Sequence, residues 1–147
     1  MLRDVAAIPT NALGRPDMVI CGYRIDDDDV VFDFDPQVFS MWIDSNAEVM
    51  VAGEFNNWLD NDGNGHVTGN FPQWAMQRVE DNHYTLHKKI ADFQSKPKWQ
   101  FKFVVNRNEW TEVPNTAKNR DESDGFLNLL LMIPPPVTNT VTVTKGN

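Results

Sequence analysis

Two tryptophans at polar turns are the residues of this 147-residue chain whose type and setting best suit chemistry. Trp58 follows an alternating apolar run, a glycine and two asparagines, and Trp110 follows the polar turn at residues 106–109. A large apolar ring at a turn is costly to leave in water unless a partner stacks on it. The C–H face of a sugar is such a partner. Burial of both rings in the core is the alternative, and the polar turns favour the sugar.

Polar side chains near these rings extend the same interpretation. Lys102 lies on the strand face opposite Phe101 and Phe103, and Asn128 lies where the last apolar run begins. An ammonium group and an amide can hydrogen-bond the hydroxyl rim of a pyranose whose apolar face stacks on an indole. These residues together predict a shallow, exposed sugar-binding surface.

Catalytic signatures do not emerge from the sequence. The chain has no G-x-S-x-G motif, and its histidines, His66, His83 and His87, have no serine or cysteine partner at a suggestive spacing. The carboxylates cluster in polar loops, so no acid/base pair stands out. We therefore predict a protein that is not an enzyme, with no catalytic residues and no cofactor.

A partial calcium motif lies just after Trp58. Asp60, Asp62 and Asn64 match the opening of a D-x-[DN]-x-[DN]-G calcium loop. The twelfth position, which requires a bidentate glutamate, is Phe71. The pattern favours a flexible turn without metal, and calcium completed by ligands from elsewhere in the chain is the alternative.

The charge of the chain limits its partners. The net charge is -8, which disfavours nucleic acid and an anionic membrane surface but leaves neutral polysaccharides open. No apolar run approaches the roughly 18 residues of a membrane-spanning helix. Residues 1–25 contain no signal-peptide core, and Cys21 is the single cysteine, so no internal disulfide forms. A cytoplasmic protein and a piece of a larger secreted protein both remain open.

Short strands are the elements that must position these residues. Apolar alternation and short apolar runs recur from Val30 to Ile133, with turn-forming residues between them and no convincing helix. This pattern predicts an all-β fold, an antiparallel β-sandwich of seven to eight strands, with Trp42, Trp74 and Trp99 in its core.

Three regions follow from the same pattern. We predict an N-terminal extension at residues 1–27 and the sandwich at residues 28–133. Residues 134–147 form a Pro-rich boundary and a Val/Thr tail, either a linker or an added edge strand.

The ordered motifs resemble a known family. The runs V-M-V-A-G-E-F-N-N-W, W-A-M, Y-T-L, W-Q-F-K-F-V-V-N and E-W-T-E-V-P, spread over residues 28–133, are similar to those of family 48 carbohydrate-binding modules. That family includes the glycogen-binding domain of the AMP-activated protein kinase beta subunit and the N-terminal early-set domains of branching and debranching enzymes. The resemblance implies an immunoglobulin-like sandwich that binds α-1,4-glucan such as glycogen, starch or maltooligosaccharide.

The resemblance also implies binding positions. Trp58, Lys102 and Trp110 match the family's sugar-binding residues, and Asn128 is the nearest match to its binding asparagine. Leu127, or alternatively Phe126, would supply an apolar contact. An attached or associated catalytic domain is a further implied partner.

Two departures from the family pattern leave alternatives open. The loop at residues 60–71 is longer than usual and could wall the site or block it, and the turn at residues 106–109 is one residue longer. Some members attached to enzymes act only as spacers, so a scaffold domain with weak or lost binding is the rival function. A different glycan, such as a plant or algal polysaccharide, is the third possibility.

Overall fold

Eight short strands form the part of the protein that the computed structural model describes, residues 20–134. In chain order they are β1 (Tyr23–Asp26), β2 (Asp29–Phe34), β3 (Val49–Gly53), β4 (Gln77–Val79), β5 (His83–Lys89), β6 (Lys98–Val105), β7 (Glu109–Trp110) and β8 (Leu129–Met132). Short 3₁₀ turns lie at Glu54–Asp60, Pro72–Trp74, Glu80–Asn82 and Ile90–Phe93. Within the described residues, no helix has the length and apolar character needed to cross a membrane.

The strands form two antiparallel sheets that pack face to face. The first sheet has the order β1-β2-β5-β4. In the second, β6 pairs with β3 along one edge, while β7 and β8 share its other edge. The prediction of an all-β, antiparallel sandwich of seven to eight strands is confirmed.

Phenylalanines that alternate along one strand of each sheet fill the core. Phe32 and Phe34 of β2 face Phe101 and Phe103 of β6, and all four are fully buried. The ring centroids lie 4.9 Å apart for Phe34–Phe103 and 5.2 Å apart for Phe32–Phe101. Because side chains alternate across a strand, the residues between these phenylalanines must face the other side of the sheet.

The short apolar run at residues 38–43 does not form a strand. Residues 36–40 form a turn, which Phe39 and Ile43 anchor in the core. Trp42 is 85% exposed, so its predicted place in the core is wrong. The reason is that the irregular segment buries Phe39 and Ile43 and leaves the intervening ring in solvent. Trp74 and Trp99 do pack against the core, although both are only partly buried.

The sandwich begins before its predicted boundary at residue 28. Tyr23–Asp26 pairs with β2, so this part of the predicted extension is the first strand of a sheet. The turn between them has Asp27 in the left-handed region, with φ 55°. Residues 1–19 of the predicted extension and residues 135–147 of the predicted tail lie outside the described residues.

A buried asparagine ties the start of the described chain to its last strand. The Asn119 side chain is fully buried. Its Oδ1 accepts a hydrogen bond from the Cys21 backbone N–H at 2.8 Å, and its Nδ2 donates to the backbone carbonyls of Cys21 and Leu130, both at 2.9 Å. One side chain thus satisfies three backbone groups, two of them buried, that a strand ladder would otherwise have to satisfy.

We expect Asn119→Ala to lower the free energy of unfolding by about 3 kcal/mol, since it leaves buried backbone groups without partners. Urea denaturation followed by tryptophan fluorescence measures this loss. The matched control is Asn115→Ala, which removes the same side chain from an exposed site and should change stability by less than about 0.5 kcal/mol. Equal losses of stability in the two variants would contradict a stabilising role for the Asn119 hydrogen bonds.

Candidate functional site

A cleft of about 540 Å³ lies on the face of the second sheet that points away from the core. Four of the five predicted sugar-binding residues meet there: Trp58, Lys102, Trp110 and Asn128. These residues are far apart in the chain, and the sheet brings them together. The complete lining is Glu54, Trp58, Asn61, Gly65, Gln100, Lys102, Trp110, Asp124, Phe126 and Asn128.

Strand β6 provides the floor of the cleft. Gln100 and Lys102 alternate with Phe101 and Phe103, so they face outward when the phenylalanines face the core. On the neighbouring strand the backbone of Gly53 runs close by. A Cβ at Gly53 would lie 2.7 Å from the Gln100 carbonyl oxygen, so only glycine fits where β3 meets the floor.

The turn that carries Trp58 has an uncommon backbone. Four consecutive residues adopt left-handed φ values of 53°, 55°, 59° and 49°: Asn57, Trp58, Leu59 and Asp60. The left-handed helical conformation costs an L-residue roughly 1–2 kcal/mol, and such residues normally occur singly. Strong local contacts must therefore hold this turn, and they also fix the direction in which Trp58 points.

Asn56 and Leu59 supply those contacts. The Asn56 Oδ1 accepts hydrogen bonds from the backbone N–H groups of Gly53 (3.0 Å) and Leu59 (3.3 Å), and its Nδ2 donates to the Val51 carbonyl at 3.0 Å. Leu59 is fully buried in a small second core, and Trp58 packs against the edge of that core. The turn thus has an amide clamp at its start and an apolar anchor at its end.

The two indoles form an angled pair. The ring centroids of Trp58 and Trp110 lie 6.4 Å apart, with an angle of 53° between their planes. Both rings are partly buried, and the Trp110 Nε1 donates a hydrogen bond to the Gly65 carbonyl at 2.7 Å. Because that bond fixes Trp110, the pair offers a preformed, bent apolar surface to a ligand.

The long loop after Asp60 forms a wall of the cleft. Its Val67 is buried in the small core, and the Val67 N–H donates to the Arg107 carbonyl at 2.8 Å. The Arg107 guanidinium donates to the Gly69 carbonyl. Asn61 and Gly65 line the cleft directly. Of the two alternatives left open by the sequence, the loop therefore walls the site.

The same loop satisfies its own carboxylates. The Asp62 Oδ1 accepts hydrogen bonds from the backbone N–H groups of His66 (3.0 Å) and Asn64 (2.8 Å), which together hold the pKa of Asp62 below its usual value. Asp60 accepts a hydrogen bond from the Asn57 amide at 2.7 Å. Across residues 20–134, no three His, Cys, Asp or Glu side chains come together as a metal site. Asp60 and Asp62 of the partial calcium motif thus take part in local hydrogen bonds.

Gln100 is a central residue of the site that the sequence interpretation missed. Its Nε2 donates to Asp121 Oδ2 at 2.7 Å and to Asp124 Oδ2 at 3.0 Å, and its Oε1 accepts from the Asn128 Nδ2 at 2.7 Å. Asn128 itself is only 7% exposed. The signal that identifies Gln100 is its place two residues before Lys102 on the outward face of β6.

Lys102 is held at the edge of the cleft. Its ammonium group donates a hydrogen bond to the Phe126 carbonyl at 3.4 Å. Partial burial lowers the pKa of Lys102, an effect that the nearby Glu112 carboxylate opposes. Since two N–H groups of the ammonium are unused by this bond, Lys102 can still donate to a ligand.

Phe126 supplies the exposed ring on the segment before β8. Phe126 is 72% exposed and lines the cleft. Leu127, the predicted apolar contact, is not a lining residue. The backbone turns at Leu127, where φ is 56°, so the adjacent side chains take different directions. Of the two residues considered for the apolar contact, Phe126 is therefore the one that lines the cleft.

The chain was compared with known protein families and with curated proteins. No protein-family model matches the chain, and no curated protein matches it.

Proposed function

We propose that this protein is a non-catalytic carbohydrate-binding module of the family 48 type that binds α-1,4-linked glucan in the cleft. The observation that carries the proposal is the angled pair of Trp58 and Trp110. A helical α-glucan presents successive sugar faces at an angle to one another, and a bent pair of indoles suits that curvature better than a flat platform would. Flat β-linked chains lack this curvature.

Polar groups beside the rings support the same ligand class. Lys102 and the oxygens around Gln100 lie within the same cleft as the two indoles. A sugar stacked on either ring would direct its hydroxyl rim towards them. Uncharged hydroxyls both donate and accept hydrogen bonds, so they match a mixed set of amide, carboxylate and ammonium groups.

The mode of action would be to hold substrate near an attached or associated catalytic domain. An open cleft buries only part of a long glucan, and ring stacking contributes about 0.5–1.5 kcal/mol per ring beyond area burial. We therefore expect modest affinity for one glucan segment. Attachment to a catalytic domain would convert this into a raised effective concentration of substrate.

Isothermal titration with maltoheptaose and with cellohexaose tests the proposal. We expect saturable heat with maltoheptaose and none with cellohexaose at the same concentrations. Intrinsic tryptophan fluorescence should change in parallel, because both rings contact the ligand. The absence of any heat or fluorescence change with maltoheptaose would refute α-glucan binding, and stronger binding to cellohexaose would assign the cleft to a β-linked glycan.

A protein-interaction domain is the second candidate, favoured by one observation. Trp42 is 85% exposed and Val38, in the same connection, is 46% exposed. Exposed large apolar side chains occur at interaction surfaces. If this function holds in place of glucan binding, light scattering after gel filtration should show self-association that Trp42→Ala reduces.

A further inference from the structure

Several side-chain hydrogen-bond donors in the cleft already have partners within the protein. The Trp110 Nε1 donates to the Gly65 carbonyl at 2.7 Å, and the Asn61 Nδ2 donates to the Trp58 carbonyl at 3.3 Å. Farther along the floor, the Gln100 Nε2 donates to two carboxylates. The Asn128 Nδ2 in turn donates to Gln100. Among the residues that line the cleft, the Lys102 ammonium group supplies the charged donors, beside the Trp58 Nε1–H and the second amide N–H of Asn61 and of Asn128.

Acceptors are plentiful in the same lining. Each carboxylate oxygen has about two lone-pair sites, so Glu54 and Asp124 keep unused capacity after their internal bonds. The Glu54 Oε1 accepts from the Gln100 backbone N–H at 2.8 Å and from Lys96 at 3.1 Å. Asp124 accepts from the Phe126 N–H at 3.0 Å and from Gln100. A ligand that brings donors can therefore form hydrogen bonds with these two carboxylates.

The charges around the cleft also disfavour an anionic ligand. The lining holds two carboxylates, Glu54 and Asp124, and one ammonium group, Lys102, which gives a net charge of -1. Asp121 and Glu112 lie beside the lining, near Gln100 and Lys102 respectively, and Lys96 pairs with Glu54. The whole chain carries a net charge of -8. An anion would meet a net negative field, which Lys102 in the lining and Lys96 and Lys98 beside it offset only in part.

We infer that Glu54 and Asp124 make the cleft selective for uncharged glucan and exclude phosphorylated or otherwise anionic glucan. The inference rests on the proposed function. A free sugar hydroxyl donates to either carboxylate. A phosphate group at neutral pH brings mainly acceptors, adds negative charge and finds Lys102 as its sole charged partner in the lining. The two carboxylates thus act as specificity residues, and the indoles supply affinity.

Paired titrations with β-cyclodextrin and phosphorylated β-cyclodextrin test this selectivity. At about 20 mM salt we expect the phosphorylated ring to bind at least about tenfold more weakly, a gap that narrows at about 0.5 M salt because the Debye length falls. The double variant Glu54→Gln, Asp124→Asn should close most of the gap between the two rings, and it should bind the neutral ring somewhat more weakly than wild type, because the sugar hydroxyls lose two charged acceptors. Glu122→Gln is the control, because it removes one negative charge from an exposed side chain outside the lining.

The outcomes separate the two proposals. If neither ring binds the wild-type protein, the proposed function fails. If the neutral ring binds and the phosphorylated ring binds equally well, the function stands and the selectivity inference is overturned. A gap that Glu122→Gln closes as well as the double variant does would assign the selectivity to overall charge, and this also overturns the role of Glu54 and Asp124.

Discussion

Trp58→Ala is expected to weaken maltoheptaose binding by roughly thirtyfold, which for an open cleft of modest affinity removes the titration signal. The loss combines the ring area that the sugar covers with the stacking contribution, together about 2 kcal/mol. Trp58 lies on a turn of fixed backbone direction, so no neighbouring ring can take its place. Isothermal titration gives the affinity, and thermal unfolding checks that the variant remains folded.

Trp42→Ala is the matched control for this experiment. It deletes the same side chain from a site that is 85% exposed and outside the cleft lining, so glucan affinity should stay within about twofold of wild type. A second variant, Trp110→Phe, keeps an aromatic face but loses the hydrogen bond to Gly65, and it should bind with intermediate affinity. If Trp58→Ala binds maltoheptaose as wild type does, stacking on Trp58 is not the basis of recognition.

Leu59→Ala is expected to lower the free energy of unfolding by about 3 kcal/mol and to impair glucan binding as well. Leu59 is fully buried against Met50, Val67 and Val104, so truncation leaves a cavity in the small core. The same anchor holds the left-handed turn. The left-handed conformation of residues 57–60 costs roughly 1–2 kcal/mol per residue. Without the Leu59 anchor we expect this backbone to relax to a lower-energy conformation, which changes the direction of the Trp58 side chain. Chemical denaturation and titration measure the two effects on one protein sample.

A control in the main core separates these effects. Leu131→Ala also truncates a fully buried leucine, on a strand whose described contacts lie away from the Trp58 turn. It should lower stability by a similar amount and retain most of its affinity when measured well below its unfolding temperature. Equal retention of binding by Leu59→Ala would contradict the role of Leu59 as the anchor of the turn.

The pattern of apolar residues predicted much of the sandwich because alternation is a local property. Phe32 and Phe34 flank Asp33, Phe101 and Phe103 flank Lys102, and all four phenylalanines face the core as expected. The same alternation placed Lys102 on the outward face. The segment around Trp42 could not be predicted in this way, because Phe39 and Ile43 anchor an irregular turn whose shape depends on the packed core.

The site was only partly predictable for a related reason. Trp58 and Trp110 can be identified from the sequence because each is a large apolar residue at a polar turn. Gln100, in contrast, has the sequence setting of an ordinary polar strand residue. Its importance arises from Asp121, Asp124 and Asn128, which reach it only after β8 pairs with β6. The choice between Phe126 and Leu127 likewise depends on a left-handed φ at Leu127, for which the sequence offers no clear signal.

Strand β6 is paired on both edges, and its two faces have separate roles. One face of the strand maintains the fold through Phe101 and Phe103, and the other presents Gln100 and Lys102 to the cleft. The walls, in contrast, come from connections, which tolerate exchange and insertion far better than a central strand does. Substitutions or insertions at residues 61–70 or 121–128 should therefore change the shape of the cleft with little effect on β6, which makes these two segments the natural places to redesign the cleft.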